Sequence, residues 1–331
     1  MKKVKLGRTS LEVSQLGLGG LFVSKHGSGY EQARAAIHRA VELGVNFIDT
    51  APGYFNSEEV IGRALADVDQ PLIISTKLGG RPQPFDPQNA EELRISVEQS
   101  LEYLGRDCLD MLLIHEPDRP GQYDWWTDWE EVRGPVLDVI EGFRKQGIVK
   151  YTGLGGTTAY EMAHFCRSGK FDVVLTAFNY SLLWREAEQA VLPAAIEQEM
   201  GIIIGSPLQQ GALARRYDAT LDNPPAWLSP ARANQFRALY ALLDEIKMPL
   251  PELAIRFTLS NPAVHTILMG ARAAEEVEQN VASVEAGPLD AELLARLDEI
   301  AAMVAYRPYE EPFGMGNCMA NPTRYRGPGM A

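Results

Sequence analysis

The chain has 331 residues, 46% of them hydrophobic, and a formal net charge of −13. That acidity argues against nucleic acid or an anionic membrane as the main partner, while leaving room for a local phosphate pocket. No apolar run reaches the roughly 18 residues that a membrane helix needs, and three scattered cysteines (Cys108, Cys166, Cys318) fit reduced thiols of a cytoplasmic protein better than a disulfide framework.

Residues 3–6 and 11–13 flank Gly7-Arg-Thr-Ser10, which reads as a hairpin turn. From there one unit repeats: a short apolar run, a loop marked by Gly or Pro, then an amphipathic stretch. Strands are expected over 16–20, 45–49, 72–76, 108–114, 149–154, 173–175, 202–205 and 264–268. Between them lie helical stretches such as 31–43, which Gly44 stops, and 91–104. Eight alternations of strand and helix mean a parallel sheet with crossover helices. Over this length they close most simply into a (β/α)8 TIM barrel. An open doubly wound sheet is the alternative. Its glycine fingerprint is incomplete here, because Phe22 stands where the last glycine of Leu16-Gly-Leu-Gly-Gly20 would follow. No composition break marks a linker, so one domain over 1–331 is expected. Additions to the repeat are a Pro-rich loop over 212–230, an extra C-terminal helix over 290–304 and a Gly/Pro/Met-rich tail over 306–331.

The chemistry gathers at strand ends. Asp49 ends the second barrel strand, Tyr54 follows it, Lys77 ends the third and His115 the fourth. In a parallel barrel these ends converge on one mouth. A free phenol titrates near pH ~10, too weak an acid for neutral-pH proton donation. A neighbouring ammonium is expected to lower that value, a carboxylate to keep the ammonium charged, and an imidazole to orient a carbonyl oxygen. Taken singly, Asp49 reads as a turn cap, Lys77 as a solvent-facing side chain and His115 as a core histidine. Taken together they suit proton delivery to a carbonyl that gains a hydride. No metal is required, since one histidine and one aspartate are too few ligands for zinc.

Four segments carry a family resemblance: the opening K-L-G-R-T-S-L-E-V-S, the run G-V-N-F-I-D-T-A-P-G-Y, the segment I-I-S-T-K and the segment L-L-I-H. From about residue 3 to residue 285 the chain resembles the aldo-keto reductase superfamily. The resemblance implies a TIM barrel capped by the N-terminal hairpin, the catalytic set Asp49, Tyr54, Lys77 and His115, and a nicotinamide cofactor. It places that cofactor against Gly20, Asp49, Gly155, Gly156 and Tyr180, and against the pyrophosphate loop with Ser206, Pro207, Leu208, Gln210 and Gly211. Around the adenosine ribose it implies Gly270, Arg272, Glu276, Gln279 and Asn280. Arg272 suits a 2′-phosphate and Glu276 a free 2′-hydroxyl, so NADP and NAD both stay open, with a slight lean to NAD.

The chain departs from the family pattern at the carboxamide. Gly155-Gly156 replaces the usual Ser-Asn, and Ala177 the usual Gln, leaving Thr157, Asn179 or backbone groups to take over. Such glycine-containing versions resemble the branch of L-galactose and aldose 1-dehydrogenases. The expected substrate is therefore a sugar or a related small polyhydroxy aldehyde, lactol or ketone, with Trp125, Trp126 and Trp129 offering flat faces to a pyranose. The alternative for these rings is a cluster that pins a long loop. Two rival functions are a cofactor-sensing interaction protein of the same fold, like the channel β-subunits, and a barrel hydrolase pairing Asp49 with Glu116. The oligomeric state is left open.

Overall fold

The computed structural model describes residues 1–305 apart from Ser28. The tail expected over 306–331, Cys318 included, lies outside the described residues. Strands β1 (Lys3–Lys5) and β2 (Glu12–Ser14) form an antiparallel hairpin with Val4 opposite Val13. Eight parallel strands follow: β3 (Leu16–Gly19), β4 (Phe47–Asp49), β5 (Ile73–Leu78), β6 (Leu109–His115), β7 (Val149–Gly156), β8 (Val173–Ala177), β9 (Gly201–Gly205) and β10 (Thr266–Gly270). Each pairs with the next, and β10 pairs back onto β3, so the barrel is closed. The open doubly wound alternative is excluded.

Alternation of side chains sorts the core into two compartments. Phe47, Met111, Leu113, Val173, Leu175, Ile203 and Leu268 fill the barrel interior, while Ile48, Ile74, Leu112, Ile114, Val174 and Ile204 face the helix layer. The hairpin plugs the N-terminal end by inserting Leu6 and Val13 into the inner cluster. Gly7 makes that approach possible. It sits at φ 52°, and a Cβ there would lie 2.2 Å from the Gly201 nitrogen. Arg8 then anchors the turn by donating to the Phe171 carbonyl at 2.7 Å.

Five strands, β5, β6, β7, β8 and β10, run past their expected ends. Lys77 pairs opposite Leu113, and His115 opposite Gly155, so both lie inside the ladder rather than beyond it. The reason is energetic: a barrel strand continues while both neighbours accept its hydrogen bonds, whatever its own sequence prefers. Strand β7 reaches Gly156 for the same reason. The extra helix Ala291–Ala302 packs outside the barrel on the helix Pro230–Ile246. There Gln235 donates to the Ile300 carbonyl at 2.9 Å, and Arg296 pairs with Glu245 at 2.6 Å. Among the described residues no helix is long and apolar enough to cross a membrane.

Candidate active site

The inward position at the C-terminal end of each barrel strand belongs to Gly19, Asp49, Lys77, His115, Gly155, Ala177, Gly205 and Gly270. Three neighbouring strands supply chemistry and the other five supply only glycine or alanine. The mouth is thus polar on one side and a small-residue cradle on the other. A Cβ on Gly155 would lie 3.3 Å from Lys77 Cε, and one on Gly205 would lie 3.1 Å from Leu175 Cδ2, so even a methyl at either position would crowd its neighbours.

Lys77 is the centre of the polar side. Its Nζ donates to Asp49 Oδ2 at 2.6 Å and to the Thr50 carbonyl at 2.8 Å, and it lies 4.8 Å from the Tyr54 ring centroid. Asp49 and Lys77 are both 2% exposed. Burial works against the Lys77 charge, but the interactions with Asp49 and Tyr54 together outweigh it and hold the amine above the ordinary lysine range. Asp49 Oδ1 is buried and has no protein partner among the described residues.

Tyr54 corrects one expectation. Burial pushes its phenol above the ordinary value, and Lys77 pulls it back only partly. The desolvation of a phenolate between Asp49 and Glu116 exceeds what one ammonium returns, so the resting hydroxyl keeps its proton. His115 meets Tyr54 edge to face, with ring centroids 5.7 Å apart. Burial first, and the Lys77 charge second, push His115 down to about 3, so it is a neutral imidazole with one N–H to give. Its Nδ1 is buried and unpartnered among the described residues.

A second network supports this layer, and it contains an acid that the sequence reading passed over. Glu58, in the first turn of the helix Ser57–Leu65, resembles an ordinary dipole-complementing acid but is 2% exposed. It accepts from Thr76 Oγ1 at 2.6 Å and pairs with Arg81 at 2.5 Å, tying β5 to the loop that follows. Tyr123 was also missed. Its ring passes 3.3 Å from where a Gly79 Cβ would stand and its hydroxyl 3.2 Å from that of Gly80, beside His115. The only sequence signal was its place in the insertion after His115.

The tryptophans turn inward. Trp125 is fully buried and donates its indole N–H to the His115 carbonyl at 2.9 Å, which places it behind the histidine rather than before a substrate. Trp126 donates to the Pro117 carbonyl at 2.8 Å and stacks on Phe165 at 5.0 Å, while Trp129 meets the same ring at 4.8 Å. Both therefore clamp the loop onto the helix Ala159–Arg167. Tyr180, expected on the cofactor, is a core residue: it is 3% exposed, lies against Phe257 and receives a hydrogen bond from Asn261 at 3.1 Å. Its burial raises the phenol.

The loop after β9 turns tightly. Ser206, Gln209 and Gln210 all have φ between 50° and 54°, the Gln209 N–H returns to the Ser206 carbonyl, and the Gly211 N–H returns to that of Leu208. Pro207 is buried and Gln210 is exposed. Gln209, which the sequence reading left out, donates to the Phe178 carbonyl at 2.8 Å while its Oε1 is buried without a partner. After β10, a Cβ on Gly270 would lie 2.2 Å from Phe22, and the Arg272 guanidinium stacks 4.6 Å over that same ring. The helix Ala274–Glu285 opens without a side-chain cap at Ala273. Glu276 accepts the Arg272 backbone N–H at 2.7 Å, so one carboxylate already sits at this helix start. Gln279 is exposed and Asn280 buried. Gly20 is wedged between two loops: a Cβ there would lie 2.6 Å from Ser57 Oγ, which donates to the Gly20 carbonyl.

The chain is similar to known proteins over most of its length. The chain is 28% identical over 313 residues to L-galactose dehydrogenase of Arabidopsis thaliana, covering 89% of this chain and 92% of that protein. It is 28% identical over 330 residues to the NADH-specific methylglyoxal reductase of Escherichia coli, covering 88% and 96%. Among solved structures, the holo form of aldo-keto reductase AKR11C1 from Bacillus halodurans matches with a TM-score of 0.75 at 27% identity, over 94% of this chain and all of that one. The Aldo/keto reductase family model matches residues 15–302, and the chain belongs to that family.

Proposed function

We propose that this protein moves a hydride between a nicotinamide dinucleotide and the carbonyl or alcohol carbon of a sugar or a related small polyhydroxy aldehyde, lactol or ketone. The carrying observation is the buried Asp49–Lys77 pair set under the Tyr54 ring beside a neutral His115. The small-residue cradle of Gly19, Gly155, Ala177, Gly205 and Gly270 fits a flat ring at the mouth, because any larger side chain there would fill it. The dinucleotide, when bound, supplies or takes the hydride.

The chain's own residues handle the proton. Tyr54 Oη gives its proton to the substrate oxygen in reduction and takes it back in oxidation. Lys77 stabilises the phenolate as it forms, so its interaction is stronger in the transition state than at rest. Asp49 keeps Lys77 charged and in place. The His115 N–H binds the same substrate oxygen and fixes its approach. Tyr123, at the rim beside His115, borders the substrate.

NAD is favoured over NADP on local charge. Glu276 places a carboxylate at the start of the helix Ala274–Glu285, and Arg272 is engaged over Phe22. A 2′-phosphate would meet repulsion there, whereas a 2′-hydroxyl can donate to the carboxylate. A similar relative is named as NADH-specific, and another acts on L-galactose, which supports both the cofactor and the sugar reading. Titrating NADH and NADPH by protein fluorescence, then following the reduced-nicotinamide absorbance against sugars and aldehydes, tests the reading. Binding of neither dinucleotide would overturn it.

A further inference from the structure

The nicotinamide reading leaves the carboxamide without side chains from Gly155, Gly156 or Ala177. The two replacements expected from sequence are already engaged. Thr157 Oγ1 donates to Glu116 Oε2 at 2.9 Å and receives Arg119 Nε at 2.5 Å. The Asn179 side-chain nitrogen is spent on the Thr157 carbonyl at 2.9 Å and on Thr176 Oγ1 at 3.3 Å. Asp118 Oδ2 caps the backbone N–H groups of Thr157 and Thr158, and its Oδ1, buried and unpartnered among the described residues, lies beside Met162 against the outward-facing Gly156, away from the mouth.

Glu116 is placed differently. It follows His115 directly, and its backbone N–H bonds the Gly155 carbonyl at 2.7 Å, so it stands beside the vacant strand end. Its backbone is held at φ 50°, a left-handed conformation that a glutamate adopts only at a cost. The side chain is 11% exposed. Arg119, 3.1 Å away, and Thr157 both hold Oε2, while Oε1 takes no protein hydrogen bond among the described residues. Gly155 itself lies against Lys77, a Cβ there standing 3.3 Å from Lys77 Cε, so Glu116 borders the mouth. Oε1 is not sealed off like Asp49 Oδ1, so a donor on a ligand at the mouth can reach it. A primary amide N–H beside the cradle supplies one.

Resting on the dinucleotide reading above, we propose that Glu116 is the positioning residue for the nicotinamide carboxamide. Oε1 accepts the amide N–H, and Arg119 and Thr157 lock the acid in place. The acid reaching across from β6 takes over the work that side chains on β7 and β8 would otherwise do. It fixes which face of the ring meets the substrate without adding bulk to the cradle.

Binding, not turnover, tests this. The probes are NADH, or NADPH if that is the tighter ligand, and the reduced 3-acetylpyridine analogue, in which a methyl replaces the amide nitrogen. The wild-type chain should bind the natural dinucleotide about tenfold or more tightly than the analogue, as expected for a hydrogen bond to a charged group. E116A should lose that preference by weakening the natural ligand alone, and E116Q, whose amide oxygen still accepts, should keep part of it. Equal weakening of both ligands in E116A would mark Glu116 as merely structural and overturn the proposal. So would an unchanged preference in E116A, including the case where only a sugar's KM responds. Absence of dinucleotide binding in the wild type would instead strike the functional reading itself.

Discussion

Lys77 Nζ stands 2.6 Å from Asp49 Oδ2 with both side chains buried, and no other carboxylate shares that ammonium's hydrogen bonds among the described residues. Removing one charge of such a pair leaves the other stranded. D49N should therefore lose about 3–5 kcal/mol in denaturant unfolding as well as turnover. Replacing both by apolar residues of similar volume, D49L with K77M, should recover most of the stability and none of the activity. Unfolding curves for the single and double variants check this. A D49N protein as stable as the wild type would mean that the pair is not charged.

Y54F removes the proton without removing the ring. It should bind the dinucleotide with near-normal affinity while turnover falls by about 10²–10⁴, the range for losing a general acid. Because burial holds the Tyr54 phenol above its ordinary value, reduction should show no loss of rate from Tyr54 ionisation at neutral pH. A fluorescence titration paired with a rate measurement separates the two effects, and retained turnover would discard Tyr54 as the acid.

Glu116 and His115 make opposite contributions to stability against pH. Glu116 is pushed up to about 7 from 4.5, by burial first and Asp118 second. Between these values the unfolded chain has released its proton and the folded chain has not, so the contribution is full below about 4.5 and is lost as pH rises to 7. E116Q should thus gain on the order of 2–3 kcal/mol at pH 8 relative to its effect at pH 4. His115, pushed down to about 3 from 6.5, gives stability that is full above 6.5 and lost as pH falls toward 3. H115N should flatten that acid limb. Denaturant midpoints across pH for both variants decide the signs, and an E116Q effect that becomes no more favourable from pH 4 to pH 8 would reverse the first.

Asp49, Lys77 and His115 were legible because a charged or imidazole residue closing an apolar strand is rare enough to carry information, and because the barrel brings successive strand ends together. The direction of the Tyr54 shift was not legible: it depends on how much water is excluded around the phenol, which no spacing encodes. The same gap explains Tyr180, Trp126 and Trp129. An aromatic residue suits a core and a ligand face equally, and only the position of Phe165 and Asn261 in space chose the core. Glu58 and Glu116 failed in the other direction. Their surroundings read as a helix first turn and a turn before proline, and their burial comes from Thr76, Arg81, Thr157 and Arg119, which lie 3–41 residues away.

Trp126 separates a loop clamp from a substrate platform. Its stack on Phe165 and its bond to the Pro117 carbonyl make W126A a large-to-small core change, expected to cost about 3–5 kcal/mol. The KM for the best sugar substrate should stay near that of the wild type below the unfolding range. A raised KM with unchanged stability would return Trp126 to the substrate.

Gly270, Phe22 and Arg272 form a stack at the end of β10 in which the glycine is dictated by the ring above it. A Cβ at 270 would stand 2.2 Å from Phe22 Cδ2, so G270A must displace the ring and with it the guanidinium. Overpacking of this kind costs about 1–3 kcal/mol. F22A in the same chain opens the space the methyl needs. The double variant should therefore be more stable than the sum of the single losses predicts, a coupling that a double-mutant cycle reads directly. Strict additivity of F22A and G270A would show that the close approach is relieved elsewhere and that the stack does not constrain residue 270.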